Sequence, residues 1–286
     1  MTAETTVNLS ERATATSHDS LIKAVRKIES VRGDLVVDAS RLTRAEPFGT
    51  TVLAIAIASR NAKGFGGTRV VPPDDPDAAE FLREIGFPNL GDTAGPVARK
   101  GHTLRMRQLQ AMEPLYVHEV ANLVQRWVPG TPEAAAELIE LCFNELLQNV
   151  FEHSGSQVGC FAHSRWFKLE ENVKIAVADA GIGIAASLRM NPRFAHLNDE
   201  DLVRAAVLTE GATARTSGGY GGYGLKHLRD LAIARSGRLT VVSGMVKLQV
   251  TPRGERITRS TALAGTVVEV DFRPGVDVKS SGEGVF

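Results

Sequence analysis

Only two cysteines, Cys142 and Cys160, occur in the 286 residues, and they form no C-x-x-C pair. That excludes a disulfide framework and a cysteine-built zinc site, and it predicts two buried thiols in a reducing compartment. Neither sign of charge is in excess: Lys and Arg total 33, Asp and Glu total 33, and the formal net charge is zero. Holding nucleic acid by general electrostatics requires surplus Lys and Arg at the phosphates, so no nucleic-acid partner is expected. Long apolar runs are missing as well. The longest, Val52 to Ala58, is far too short to span a bilayer, and Met1 to Ser20 is polar and rich in Thr, Ser and Ala, without an apolar core of signal-peptide length. The expectation is a cytoplasmic protein with no membrane contact. No internal repeat is present.

What remains is the balance of a globular chain, 43% apolar and 23% charged, long enough for two domains. A frayed N-terminus is expected over residues 1–17. An α/β unit follows, at 18–100. Its helix at Ser20 to Val31 places Leu21, Ile22, Val25 and Ile28 on one face. Asp34 to Asp38 and Thr68 to Val71 read as short strands, Thr50 to Ala62 as an apolar helix, and Asp77 to Ile85 as a helix closed by Gly86. The Gly- and Pro-bearing stretch Gly91 to Gly101 marks the boundary.

A second unit is expected at 101–274, before a Gly/Ser-rich tail at 275–286. It starts with helices at Leu109 to Trp127 and Thr131 to Glu152, the second with Pro132 at its first position. Strands are expected at Gly159 to Phe167 and Val173 to Asp179. After a long Gly-rich stretch come a helix at Leu225 to Ser236 and strands at Leu239 to Ser243, Val246 to Thr251 and Thr266 to Phe272.

Three short segments of this second unit carry chemistry. Glu145, Asn149 and His153 recur every fourth residue, so they share one helix face. An acid and an amide one turn apart can hold a divalent cation and orient a water, or can simply form a solvated stripe. In Val177-Ala178-Asp179-Ala180-Gly181-Ile182-Gly183, an apolar strand runs into an Asp and two glycines. The carboxylate can accept from an exocyclic amine, and the glycines permit positive φ and close approach of a ligand; an ordinary turn is the plainer reading. Gly218 to Gly224 holds five glycines in seven residues directly before a helix. Free N–H groups at a helix N-terminus favour an anion, whereas a flexible linker rarely has interleaved tyrosines and a helix behind it. No Gly-x-x-x-x-Gly-Lys-Ser/Thr loop occurs, and neither Gly-x-Gly segment sits where a dinucleotide-binding fold needs it.

In order and spacing, these segments resemble the GHKL ATP-binding superfamily, which includes DNA gyrase, histidine kinases and anti-sigma-factor serine kinases, over roughly Thr131 to Phe272. The resemblance implies a Bergerat-fold α/β sandwich, a mixed sheet with helices on one face, binding ATP and Mg²⁺. It implies that Glu145 is the general base and that Asn149 ligates the magnesium. Asp179 would accept from the adenine 6-amino group, with Gly181 and Gly183 letting the nucleotide approach. Gly221, Gly222, Gly224 and Leu225 match the phosphate-wrapping loop, and Thr266 the threonine beside the adenine. Ala185 to Ser217 would form the lid. One departure stands out: many kinases of the family carry Lys three residues after the metal-binding Asn, and here that residue is Glu152. Lys226, His227 and Arg215 are the nearby basic residues able to replace it. His118-Glu119 lies too close to Glu145 for a histidine-kinase hairpin and reads as an ordinary helix pair.

Leu35-Val36-Val37-Asp38-Ala39-Ser40, then Pro47-Phe48-Gly49 and an apolar helix, is similar to the STAS domains of anti-sigma antagonists over about Asp19 to Asp92. In those antagonists the turn before the helix carries the serine that a GHKL kinase phosphorylates. Here it reads Glu46-Pro47-Phe48-Gly49, with no hydroxyl before Gly49. The resemblance therefore implies a degenerate STAS-like module that docks or dimerises. Together the two resemblances imply a signalling switch of the anti-sigma-factor kinase type, acting on a protein partner such as an anti-sigma antagonist or another STAS-type protein, and able to form a homodimer. The alternatives are a non-kinase conformational switch driven by ATP and a slow ATPase.

Overall fold

The computed structural model of the chain describes residues 4–87, 104–126, 132–214 and 222–274. It is an α/β protein with both parallel and antiparallel sheets. The boundary expected at Gly91 to Gly101 and the tail at 275–286 lie outside the described residues.

The parallel sheet is built from β1 (Thr5–Asn8), β3 (Leu35–Asp38) and β5 (Thr68–Val71), in the order β1-β3-β5. A two-residue parallel pair, β2 (Arg12–Ala13) and β4 (Arg44–Ala45), stands beside it. The terminus expected to be frayed is thus corrected: Thr5, Thr6 and Val7 are β-branched, suit a strand, and pair with Leu35, Val36 and Val37. Helices α1 (His18–Ser30), α2 (Pro47–Ala62) and α3 (Pro76–Glu84) complete this part. Buried Arg60 near the end of α2 donates to five carbonyls, those of Val31, Gly33, Phe65, Gly66 and Gly67, and to Thr68 Oγ1. One guanidinium thereby holds together the loops that lead into β3 and β5.

The larger sheet has the order β6-β7-β8-β10-β9: β6 (Arg107–Leu109), β7 (Cys160–Phe167), β8 (Asn172–Asp179), β10 (Gly254–Phe272) and β9 (Arg238–Thr251). Every neighbouring pair is antiparallel, so the expected mixed sheet is corrected. Helices α4 (Pro114–Gln125), α5 (Pro132–His153), α6 (Gly183–Arg189), α7 (Asp199–Leu208) and α8 (Gly224–Ala234) belong to this part. The long helix expected from Leu109 instead begins at Pro114, which needs no N–H partner in a first turn. The stretch between β8 and α8, expected without regular elements, contains α6 and α7, and the expected separate strands near the end of the chain are one long hairpin with register shifts between Arg259 and Thr266.

Helices on one face only is also corrected, because the sheet is covered on both faces. Successive strand residues point to opposite faces. Ile175, Val177, Val268, Val270 and Phe272 join the cluster formed by α4, α5, α7 and α8. Ala178, Val242 and Val267 join Phe48, Val52 and Leu53 of α2, together with Val7, Leu35 and Val37. Helix α2 is apolar all round because it is sandwiched in this way. Polar ties cross the same joint. Lys174 Nζ lies 2.6 Å from Glu46 Oε2, Thr50 Oγ1 lies 2.8 Å from His163 Nδ1, and Lys247 Nζ donates to Ala15 O at 2.8 Å. Among the described residues no helix is long and apolar enough to cross a membrane.

Candidate functional site

Helix α5 buries Ile139, Cys142, Phe143, Leu146, Leu147 and Val150, which turns its polar stripe toward α8 and the end of β8. Asn149 and His153 from that stripe line a cleft of about 580 Å³, counted out to its mouth. The Asn149 side-chain nitrogen is buried and has no hydrogen-bond partner among the described residues. Glu145, one turn earlier, is 3.2 Å from His227 Nδ1 through Oε1. Glu152 accepts from Gln148 Nε2 at 2.9 Å.

Strand β8 delivers Asp179 to the closed end of the cleft. It is in register with Thr266 of β10, and Thr266 with Ser243 of β9, so three neighbouring strands place these side chains in one row. The Gly181 N–H donates to Asp179 Oδ1 at 2.8 Å. Burial pushes the Asp179 carboxyl up to about 6, against the pull of the Gly181 and Thr266 N–H groups. Gly181 has no room for a side chain, since a Cβ would lie 2.1 Å from the Ser154 carbonyl oxygen. Gly183 adopts φ +78°, a region L-residues avoid, and opens α6.

The opposite wall is the start of α8. Gly222, Gly224 and Leu225 all line the cleft. A Cβ on Gly224 would come within 2.5 Å of Glu145 Oε2 and 3.2 Å of Asn149 Nδ2, so a larger residue here would displace the ends of those two side chains from the cleft. Gly221 and Arg215 lie outside the described residues. Of the other two basic residues, Lys226 is engaged by Glu210 at 3.1 Å and Asp230 at 2.9 Å, and His227 by Glu145. His118 pairs with Glu140 at 2.9 Å on the surface of α4 and α5.

Nine of the ten residues singled out in the sequence therefore have a described place here. Asn149, Asp179, Gly183, Gly222, Gly224, Leu225 and Thr266 share the cleft wall. Glu145 is in contact range of Gly224. Gly181, described but off the wall, holds the Asp179 carboxylate from behind. Sequence reading missed Ser154, Ser187 and Ser243, single hydroxyls that no spacing distinguishes. Ser154 and Ser187 line the cleft; the Ser154 carbonyl oxygen accepts from Ile182 N at 2.8 Å and fixes the glycine turn.

The cleft thus has a closed end with a carboxyl and a hydroxyl, and a second end beside the N-terminus of α8, where glycines admit a ligand against backbone. That arrangement suits a flat ring bearing an amine, joined to an anionic tail. Among the described residues no group of three or more His, Cys, Asp or Glu is arranged to hold a metal ion. Magnesium on a phosphate chain needs only one or two protein oxygen ligands, and the side-chain carbonyl oxygen of Asn149, on the cleft wall beside Gly224, is of the kind that could supply one. The chain matches no protein-family model, and no curated protein matches it.

Proposed function

We propose that the cleft is an adenine-nucleotide site of the GHKL kind and that the protein is a regulatory ATP- and magnesium-binding switch. The observation that carries this reading is the meeting, in one cleft, of residues from four separate segments: Asn149 of α5, Asp179 of β8, Gly222 and Gly224 at the start of α8, and Thr266 of β10. Asp179 would take the 6-amino group of adenine, and the side-chain carbonyl oxygen of Asn149 would hold the magnesium. The N-terminal N–H groups of α8 would face the phosphate chain. Bound magnesium supplies charge neutralisation at the phosphates. This chain's own residues orient the base, exclude water from its closed end and, at Glu145, offer a carboxylate to a hydroxyl or water proton.

The N-terminal part is STAS-like in this reading, and it serves its own chain. Pro47, Phe48, Gly49, Thr50 and Thr51 are all buried, on the sheet face away from α5 and α8. The Thr50 and Thr51 hydroxyls turn back to the carbonyl of Pro47. A phosphoryl group leaving the cleft has no acceptor at that turn, so a kinase would act on a separate protein. The engagement of Lys226 by two carboxylates, with Glu152 in the helix, favours a second reading: nucleotide closes the lid and changes an interface without phosphoryl transfer.

Calorimetry with ATP, ADP and GTP, with and without Mg²⁺, tests the site, and labelled ATP separates the two readings. Label moving to an added protein supports a kinase, phosphate release alone a slow ATPase, and binding without either the switch. Absence of binding at millimolar ATP would overturn the proposal.

A further inference from the structure

Ser243 lies on β9, buried behind the closed end of the cleft. Its hydroxyl has three neighbours. The Ile184 N–H donates to it at 2.9 Å, and two acceptors compete for its proton, Thr266 Oγ1 at 3.0 Å and the Gly265 carbonyl oxygen at 3.3 Å. A Cβ on Gly183 would lie 2.9 Å from this oxygen, so the hydroxyl sits directly against the turn that opens α6. Ile184 and Thr266 both line the cleft. One side chain from a third strand therefore ties together two pieces of the cleft wall.

The proton inventory gives this tie a chemical consequence. A serine hydroxyl has one proton and two lone pairs. One lone pair is taken by Ile184. If the proton goes to Gly265, Thr266 must donate to Ser243 and shows the cleft only lone pairs. If it goes to Thr266, the longer contact to Gly265 is given up and the Thr266 proton is free for a ligand. A base whose exocyclic amine is accepted by Asp179 presents, one atom along its edge, either a bare ring nitrogen or an N–H. The bare nitrogen needs a donor there.

Resting on the nucleotide reading, we infer that Ser243 is a positioning residue that sets the hydrogen-bond polarity of Thr266 and thereby selects a base edge with an amine beside an unprotonated ring nitrogen. Hypoxanthine reverses both groups, with a carbonyl beside an N–H. Ser243 thus acts on specificity through Thr266 and does not itself touch the base.

The experiment measures Kd for ATP and inosine triphosphate, each with Mg²⁺, on wild type, Ser243→Ala, Thr266→Val and the double variant. Losing one such hydrogen bond corresponds to about tenfold in affinity. Ser243→Ala is expected to weaken ATP by about tenfold and inosine triphosphate by less than twofold, and to add nothing in the Thr266→Val background. Equal losses for both nucleotides would mean a merely structural serine and overturn the inference, as would unchanged affinities. If Ser243→Ala does not fold, Ser243→Cys, close in size and a poor hydrogen-bond partner, carries the same comparison. A wild type that binds neither nucleotide overturns the nucleotide reading, whereas a wild type that binds ATP with an indifferent Ser243→Ala overturns only the role of Ser243.

Discussion

The backbone N–H of Phe48, in the first turn of α2, donates to Oε2 of Glu269 on β10 at 3.2 Å, across 221 residues of chain. Glu269 is buried, and its other oxygen has no partner. Burial pushes its carboxyl up to about 7, although Lys174 pulls the other way. A titratable group therefore sits in the joint between the two halves of the molecule.

Its consequence for stability has a definite sign. The folded state holds the Glu269 proton more tightly than the unfolded chain, whose ordinary value is 4.5. Stability should fall as pH rises from about 4.5 to about 7, and then level off. A displacement of that size corresponds to on the order of 3 kcal/mol. Chemical denaturation across pH 4.5–8 should show a shallower slope in Glu269→Gln than in wild type. Identical slopes would place the carboxyl in contact with water.

Arg60 gives a second stability test. Arg60→Met keeps much of the apolar stem but leaves five carbonyls without their donor, those of half-buried Val31, Gly33 and Phe65 and of exposed Gly66 and Gly67. A loss of about 2–3 kcal/mol is expected, the scale for leaving half-buried polar groups without a partner. Urea unfolding measures it, and a loss under about 1 kcal/mol would mean that water readily replaces the guanidinium.

The glycines of the cleft should separate into two kinds. A Cβ at Gly181 meets the rigid Ser154 carbonyl, whereas one at Gly224 meets the ends of the flexible Glu145 and Asn149 side chains. Gly181→Ala should lower the melting temperature by several degrees, since overpacking against backbone costs about 1–3 kcal/mol. Gly224→Ala should leave it nearly unchanged and weaken Mg²⁺-dependent nucleotide binding. Thermal melts with and without MgATP read both effects, and equal destabilisation by the two variants would show that α5 and α8 cannot yield at Gly224.

Much of the cleft was legible because its chemistry coincides with local periodicity. Glu145 and Asn149 are one helical turn apart, and Asp179 ends an apolar strand that runs into alternate glycines. The row Asp179, Thr266 and Ser243 was not legible as a row, because strand register is a long-range property and a lone serine in Val241-Val242-Ser243-Gly244 carries no spacing signal. The second covering of the sheet was hidden for a similar reason. In Val267-Val268-Glu269-Val270-Asp271 the alternation assigns Glu269 to solvent, and only the packing of α2 against that face buries it. The strand at Thr5–Asn8 is four residues long and has one buried residue, Val7, too few for a period to show.

Glu145 and Asp179 should have separable roles. Glu145→Ala should leave ATP affinity within about threefold of wild type, less than the loss of one charged hydrogen bond, while abolishing any phosphate release or transfer. Stopped-time assays with labelled ATP, beside calorimetry on the same sample, check this. If affinity and turnover fall together, Glu145 serves binding.

The most direct measurement is calorimetry of ATP with Mg²⁺ on wild type and Asp179→Asn at pH 7.5, repeated for wild type at pH 5.5. The expected result is a ten- to hundredfold weaker Kd for Asp179→Asn, by roughly the 1.5–3 kcal/mol of a hydrogen bond to a charged group. Wild type should also bind more weakly at pH 5.5, where a carboxyl titrating near 6 is largely protonated and a poorer acceptor. Equal affinities for the two proteins at pH 7.5 would contradict the assignment of Asp179 to an adenine amine.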